Sequence, residues 1–363
     1  MLKINELRHD VISIRELTPD LVKAWDDFQD LDSDLCSPFF SSGFARAVGR
    51  QREDLRVAVL QDSGRVAGFL PFHQKRGGCA VPVGGQVCDY QGVIGRLQGD
   101  GVSGRDLLRG CGLAAYDFNH GLAGQALLAR NAFSTSDSRR ADLRGGLEAW
   151  EADVAAQSKV LPQLRRKQRK IEREIGPLRL ETRDNSERSW DLFHLWKGQL
   201  LRRQGAGGFD LPPWLAGLFS DLLGCSEPGF AGMFSTLYAG DRLVAAHFGM
   251  RSRRAWHWWF PAYDAELSKY SPGLILLMHC IEEAPRMGLE ELDFGRGDQL
   301  YKRQFGTKAR ALCEGSLERP GTVFGAMRAA RKSAQRLANR SLPEKSADIL
   351  RRGGAKVLRA GLL

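Results

Sequence analysis

No stretch of this chain approaches the roughly 18 uninterrupted apolar residues that a membrane-spanning helix needs, so no transmembrane segment is expected. The amino terminus also lacks the apolar core of a secretion signal, because Lys3, Glu6, Arg8 and Asp10 interrupt it. The expected compartment is the cytoplasm. Cysteine occurs at Cys36, Cys79, Cys88, Cys111, Cys225, Cys280 and Cys313, an odd set with wide spacings and no C-x-x-C. That pattern argues against a disulfide framework and against a zinc ribbon. The 7 histidines are equally scattered, and no metal site is expected. A wholly disordered chain is excluded as well, since 43% hydrophobic and 26% charged residues is ordinary globular composition. The 363 residues suffice for about two domains.

What the sequence has in excess is positive charge, and it is placed unevenly. The formal net charge is +10, yet Gly321–Leu363 alone has ten Lys or Arg against Glu344 and Asp348. The segment Gln163–Glu174 adds six basic residues against two acidic ones, so the rest of the chain is slightly acidic. Basic appendages of this kind attract polyanions: nucleic acid, anionic lipid or phosphate-bearing ligands. In the tail, Phe324, Met327, Ala330, Ala334, Leu337 and Ala338, then Leu342, Ile349, Leu350, Val357 and Leu358, recur at roughly helical spacing with Arg and Lys between them. This reads as a basic amphipathic helix that lies on a membrane surface or packs on its own domain. No nucleic-acid reading module accompanies the charge, and DNA is not an expected partner.

The chain carries an internal repeat. Val57–Leu60, a turn at Asp62–Gly64 and Arg65–Phe72 read as a hairpin, as do Ser235–Tyr238, a turn at Ala239–Asp241 and Arg242–Gly249. Leu60 aligns with Leu237 and Arg65 with Arg242, 177 residues apart. Downstream, Leu113, Asp117, Phe118 and Gly121 align with Leu289, Asp293, Phe294 and Gly297, 176 residues apart. Two matches at nearly one offset imply two copies of one α/β unit. The expected divisions are 1–155, 156–320 and a tail at 321–363. The second copy is the fuller one. It continues into a strand at Ala255–Phe260, a helix from Pro272 to Met287 with Ser271 as N-cap and Gly288 as its stop, and a strand at Glu291–Phe294. In the first copy the matching helix, Ser103–Gly112, is short and interrupted by glycine.

Tyr263-Asp264, Ser271-Pro-Gly-Leu274, Asp293-Phe-Gly-Arg-Gly-Asp298 and Tyr301-Lys-Arg-Gln-Phe-Gly306 resemble the CelD/BcsL type of GNAT acyltransferase, a family associated with bacterial cellulose and exopolysaccharide synthesis and related to the tandem-GNAT Fem transferases. The resemblance is sharp over 160–310, looser over 30–155, and ends before the tail. It implies an α/β fold: a tandem duplication of a GNAT-like unit, with a mixed sheet flanked by helices and a basic helical tail. It also implies an acyl-CoA donor, acetyl-CoA or another, and a sugar or polysaccharide precursor as acceptor. The usual pyrophosphate loop, Arg/Gln-x-x-Gly-x-Gly/Ala, is here Lys269-Tyr-Ser-Pro-Gly273, with a single glycine.

Candidate site residues follow from this frame. A helix amino end offers unpaired N–H groups and partial positive charge to phosphate, so Ser271, Gly273 and Leu274, with Lys269 as a point charge, are the expected donor-binding residues. The same residues would also make an ordinary capped helix. Tyr301 stands where GNAT enzymes often place the acid that protonates the leaving thiolate, or packs in the core, and Asp298, Asp293 and His247 are the candidate bases, with a core role the commoner one for a lone strand histidine. Asp293 has a counterpart at Asp117, which fits a structural role equally. Strand alternation puts Trp256, Trp258 and Phe260 on one face and His257 and Trp259 on the other. Trp258 would stack on a sugar or fill the core. Lys302 and Arg303 would hold phosphate or a sugar nucleotide, or stay solvated. Two other readings compete: a Fem-like transferase using aminoacyl-tRNA, and a non-catalytic scaffold whose basic tail meets a membrane or an anionic messenger such as a cyclic dinucleotide.

Overall fold

The chain passes four times between two units: into and out of a short segment after Leu35, within the strand that contains Asp137 and Ser138, and within the strand that contains Arg310 and Ala311. In this computed structural model, residues 7–96, 102–205 and 208–341 are described. Unit 1 takes the chain up to Leu35, then Phe39–Asp137, and resumes at Ala311; unit 2 takes Cys36–Pro38 and Ser138–Arg310. The sequence places the divisions at 155/156 and 320/321; the structure puts them inside two strands, and the described part of the tail belongs to unit 1. The strands are β1 (Leu7–Ser13), β2 (Leu55–Asp62), β3 (Arg65–Gln74), β4 (Cys79–Pro82), β5 (Ile94–Gly95), β6 (Ala115–Leu122), β7 (Ala132–Asp142), β8 (Leu178–Glu181), β9 (Ser226–Glu227), β10 (Phe230–Ala239), β11 (Arg242–Ser252), β12 (Ala255–Tyr263), β13 (Glu291–Arg296) and β14 (Lys308–Glu318). The helices are α1 (Pro19–Leu31), α2 (Ser42–Gln51), α3 (Gly104–Gly110), α4 (Ala126–Ala129), α5 (Leu147–Gln157), α6 (Val160–Glu174), α7 (Glu187–Arg203), α8 (Pro213–Gly224), α9 (Pro272–Glu283), α10 (Leu300–Phe305) and α11 (Val323–Ser341).

The repeat is written into the backbone register. In unit 1, β1, β2, β3 and β4 are antiparallel neighbours, β4 runs parallel to β6, and β6 is antiparallel to β14. In unit 2, β8, β10, β11 and β12 are antiparallel neighbours, β12 runs parallel to β13, and β13 is antiparallel to β7. The hairpin of unit 1 pairs Asp62 with Arg65 and has a register shift between Leu60 and Gln61. That of unit 2 pairs Ala239 with Arg242 and shifts between Leu237 and Tyr238, the same place in the motif. The parallel step repeats too, with Cys79 opposite Ala115 in one unit and Ala255 opposite Glu291 in the other.

The unit 2 sheet is covered on both faces. Trp150, Leu161, Leu164 and Ile171 of α5 and α6, with Ile275, Leu276 and Met278 of α9, pack in one cluster with Trp256, Trp258 and Leu292 of the sheet. Against the other face, Trp190 and Phe193 of α7 and Phe219 of α8 meet Phe234 and Phe248 edge-on or tilted. The alternation expected in β12 fails at Trp259. Phe248 faces Phe260 and Met250 faces His257, so β12 carries one more residue than β11 between those rungs. This bulge flips the downstream side chains, and Phe260 joins Trp259 against Phe219. It needs Gly249 opposite, where a Cβ would lie 2.2 Å from the His257 carbonyl oxygen. Beyond the rung His257–Asp293, β12 and β13 form no further pairs among the described residues, and the parallel strands part.

Pro285 shortens the expected 272–287 helix: α9 stops at Glu283, a 3-10 turn follows, and Gly288 ends it at φ 76°. Among the described residues, no helix is long and apolar enough to cross a membrane.

Unit 2 also encloses a charged cluster. Arg310 donates to Glu291 Oε1 at 3.1 Å and Oε2 at 3.3 Å, and to Asp293 Oδ2 at 3.4 Å. The Arg140 Nε nitrogen lies 3.0 Å from Glu291 Oε2, and Cys36 Sγ donates to Glu291 Oε1 at 3.1 Å. Burial, then the Glu291 charge, pushes the Cys36 thiol well above its ordinary range, so it is a neutral donor. A buried carboxylate stripped of its cation costs more than the pair contributes when intact. Replacing Arg310 with methionine is therefore expected to lower unfolding free energy by about 3–5 kcal/mol, read as a shifted denaturant midpoint. An unchanged midpoint would show that the cluster does not hold the unit together.

Candidate active site

The amino end of α9 is not the simple capped helix of the sequence reading. Ser271 sits at φ 56°, in the left-handed region, and makes no side-chain cap bond. Instead, the Lys167 ammonium of α6 donates to the Ser271 hydroxyl at 2.7 Å. The Ser271 carbonyl accepts the Leu274 and Ile275 amides at 3.0 and 3.1 Å, and Pro272 has no N–H. The Gly273 amide is thus the one N–H of the first turn without a partner among the described residues. Gly273 also lies tight against Tyr263, whose Cδ1 would be 3.2 Å from a Cβ. α6 brings further charge: the Tyr270 hydroxyl donates to Glu174 at 2.5 Å, Lys269 and Lys170 lie 3.9 and 4.0 Å from Glu174, and Lys269 stands 4.7 Å over the Tyr270 ring. A helix amino end flanked by Lys167, Lys170 and Lys269 is suited to bind phosphate oxygens. Lys167 and Lys170 were singled out in the sequence only as members of a basic helix. No local signal ties Lys167 to a serine 104 residues away.

Where β12 and β13 part, α10 is tied to the end of β13. The Lys302 ammonium is buried and donates to the carbonyls of Gly295 at 3.1 Å and Arg296 at 2.8 Å. Lys302 is therefore a tether and not a surface phosphate ligand. It fixes the first turn of α10, where Tyr301 meets Phe294 edge-on, with ring centres 6.1 Å apart. Asp298 is largely exposed and pairs with Arg303 at 3.3 Å, so these two stand together at the mouth of the same turn.

Three other expectations change with the structure. Asp293 is fully buried; its Oδ1 accepts the Gly295 amide at 2.7 Å and the Ser138 hydroxyl at 3.2 Å, and Arg310 takes Oδ2. It shapes the turn after β13 and has no open face for a substrate. His247 is fully buried in the bulge, where its Nε2 accepts the Trp259 amide at 3.0 Å. Burial holds it neutral, well below the ordinary imidazole range. Its ring stacks on Trp258 at 3.9 Å and 4°. Trp258 is consequently covered, and its ring is not a platform for a sugar.

A cleft of about 830 Å³ that the sequence did not suggest lies along α7. Its walls include Ser189, Trp196 and Gln199 of α7, Tyr238 of β10, and Arg242, Asp264 and Glu266 across from them. Arg242 joins Asp264 at 2.6 Å and Glu266 at 2.8 Å. Tyr238 donates to Asp184 at 2.9 Å and lies 2.7 Å from the Ser189 hydroxyl. Burial alone would raise the Asp184 carboxyl, but the Ser186 amide and the Thr236 and Tyr238 hydroxyls hold it below its usual range. The cleft is therefore polar, with mixed donors and acceptors and one apolar wall. Asp264 begins the connection whose far end is Ser271, so cleft and helix start share one backbone segment. Tyr263-Asp264 was legible as a motif, but its arginine partner was not.

In unit 2, then, a helix with a cation-flanked amino end, α9, connects two parallel strands, β12 and β13, that part beyond their third rung. Residues 158–303 match the family model described as an acetyltransferase (GNAT) domain. The matched stretch lies within unit 2, and the match supports an acyltransferase. Two solved structures are similar over most of the chain. FemX is 10% identical with a TM-score of 0.58, covering 89% of this chain and 100% of its own. The C-terminal domain (DUF2156) of a putative lysylphosphatidylglycerol synthetase from Agrobacterium fabrum is 14% identical with a TM-score of 0.50, covering 85% and 95%. At these identities the likeness is one of fold. None of the curated proteins matches.

On α7, Lys197 donates to the Pro261 carbonyl at 3.2 Å. Burial pushes its pKa from the ordinary 10.5 down to about 8. Between those values the unfolded chain holds a proton that the folded chain has lost, so stability rises with pH across that window. Below it, charged Lys197 costs on the order of 3 kcal/mol. Lys197→Met is expected to raise the melting temperature at pH 7 and to flatten the rise between pH 8 and 10. A melting curve that keeps the same pH slope would refute the assignment.

Proposed function

We propose that the protein transfers an acyl group from acyl-CoA to an amine or hydroxyl of a sugar or polysaccharide precursor, in bacterial exopolysaccharide synthesis. The single observation that carries the donor side is the Lys167–Ser271 contact, which sets a cation on the amino end of α9. The residues there fit a diphosphate: Lys167 and Lys269 supply charge, and the Gly273 amide supplies an N–H. The thioester substrate brings an activated acyl carbon. The chain's part is to orient it in the gap beyond His257 and Asp293 and to manage two protons. As the acceptor attacks and the C–S bond breaks, Tyr301 gives its proton to the departing sulfur, and Asp298 at the solvent edge takes the one the acceptor loses. The acceptor is assigned to the cleft under α7. Its mixed hydrogen-bonding walls and the Trp196 side suit a polyhydroxylated ring better than an apolar acceptor. The polysaccharide context follows from the CelD/BcsL resemblance of Ser271–Leu274 and Tyr301–Gly306.

Acetyl-CoA is expected to raise the melting temperature of the purified protein, because it binds only the folded state. Lys167→Met should weaken acetyl-CoA binding by about tenfold in calorimetry while leaving pantetheine, which has no diphosphate, unaffected. Absence of any thermal shift with every acyl-CoA tried would remove this reading. In turnover assays, Tyr301→Phe should lower kcat by about tenfold or more at an unchanged melting temperature. Full turnover in that variant would take Tyr301 out of the reaction.

A further inference from the structure

α11 is oriented the opposite way from a helix made for water. Arg328, Lys332 and Arg336 turn toward the rest of unit 1. Arg328 is buried and donates through Nε to both oxygens of Asp117, at 3.1 and 2.9 Å. Lys332 donates to Glu318, to the Ser316 carbonyl at 3.0 Å and to Asn131 at 3.3 Å. The Arg336 guanidinium donates to the Arg130 and Ala132 carbonyls at 3.2 and 2.8 Å. Phe324 lies against Gly77, but three large apolar side chains turn the other way. Val323 is 74% exposed, Met327 57% and Leu337 66%. Ala330 and Ala334 are exposed between them, and the spacing 323, 327, 330, 334, 337 is one helical stripe. The sequence left open whether the apolar side of this helix lies on a membrane surface or packs on its own domain; the structure packs the helix through Arg328, Lys332 and Arg336.

We propose that this stripe seats unit 1 on an anionic lipid surface, with the polar side of α11 bonded to the protein and the apolar side in the headgroup boundary. A contiguous exposed apolar face on an amphipathic helix marks an interaction surface. Charge selects the occupant. Val323–Ser341 contains no Asp or Glu, and residues 342–363 go on with Lys345, Arg351, Arg352, Lys356 and Arg359 against Glu344 and Asp348. Asp117 and Glu318 answer Arg328 and Lys332, so the charge left over comes from Arg331, Arg336, Arg340 and the basic 342–363 segment, and a second copy would set like charge against like. An anionic bilayer is complementary to both. With only three large apolar side chains in the stripe, the contact is reversible and needs the charge as its second signal. The inference stands on α11 alone and does not depend on the acyl-transfer reading.

The test is sedimentation of the full chain with vesicles of one part phosphatidylglycerol to three parts phosphatidylcholine, and with phosphatidylcholine alone. The protein is expected to pellet with the anionic vesicles only and to be released by high salt. The double variant Met327→Asp, Leu337→Asp should bind at least about tenfold more weakly at an unchanged melting temperature, since both positions are exposed. Wild-type protein that stays in the supernatant, or a double variant that pellets as well as wild type, would overturn the proposal. So would a wild-type dimer in gel filtration that the double variant breaks, which would assign the stripe to a second copy.

Discussion

The Trp259 amide donates to the His247 ring because the bulge in β12 leaves it without a place in the ladder, and the geometry of unit 2 follows from that exchange. One extra residue turns the far half of β12 away from β13, so two parallel strands that share three rungs then separate. Gly249 makes room for the ring, and Trp258 closes over it. A histidine that titrated here would lose its role as acceptor; burial keeps it neutral and the bulge keeps its shape. The gap is thus held open by a wholly enclosed side chain that touches no solvent.

The paired aspartates show how a repeat separates structure from chemistry. Asp117 and Asp293 occupy the same position in the two units, each on the strand that runs parallel to its neighbour. Each is buried or nearly so, and each is answered by an arginine, Arg328 in unit 1 and Arg310 in unit 2. Burial pushes the Asp117 carboxyl up even with Arg328 beside it, so the arginine keeps the charge tolerable. A group doing the same work in both copies is part of the scaffold, whatever its chemical potential as a base.

Much of the fold was legible in the sequence because local chemistry determined it. The turn residues at Asp62–Gly64 and Ala239–Asp241 and the run of apolar residues after Pro272 point to elements that the structure contains. The bulge was not legible, because strict alternation assumes an unbroken ladder and nothing around Trp259 signals a break. Nor was the identity of the charged groups at the site. Lys302 read as a surface cation, yet it is drawn inward by two carbonyls that the turn after β13 leaves open. Lys167, Arg242 and Asp264 acquire their meaning from partners far along the chain. The cleft along α7 has no linear signature, since its walls come from three separated segments.

The interleaved path of the chain sets an order of assembly during synthesis. Unit 2 ends at Arg310, whereas the sheet of unit 1 lacks its β14 rungs, Leu312 opposite Leu122 through Glu318 opposite Ala115, until residues 312–318 emerge. Arg328, which neutralises Asp117, arrives later still. On the ribosome the amino-terminal half therefore waits, with an unpaired β6 edge and a bare buried carboxylate, for a segment translated some two hundred residues afterwards. The carboxyl-terminal unit is complete before the amino-terminal one, the reverse of the usual order in a chain of two domains.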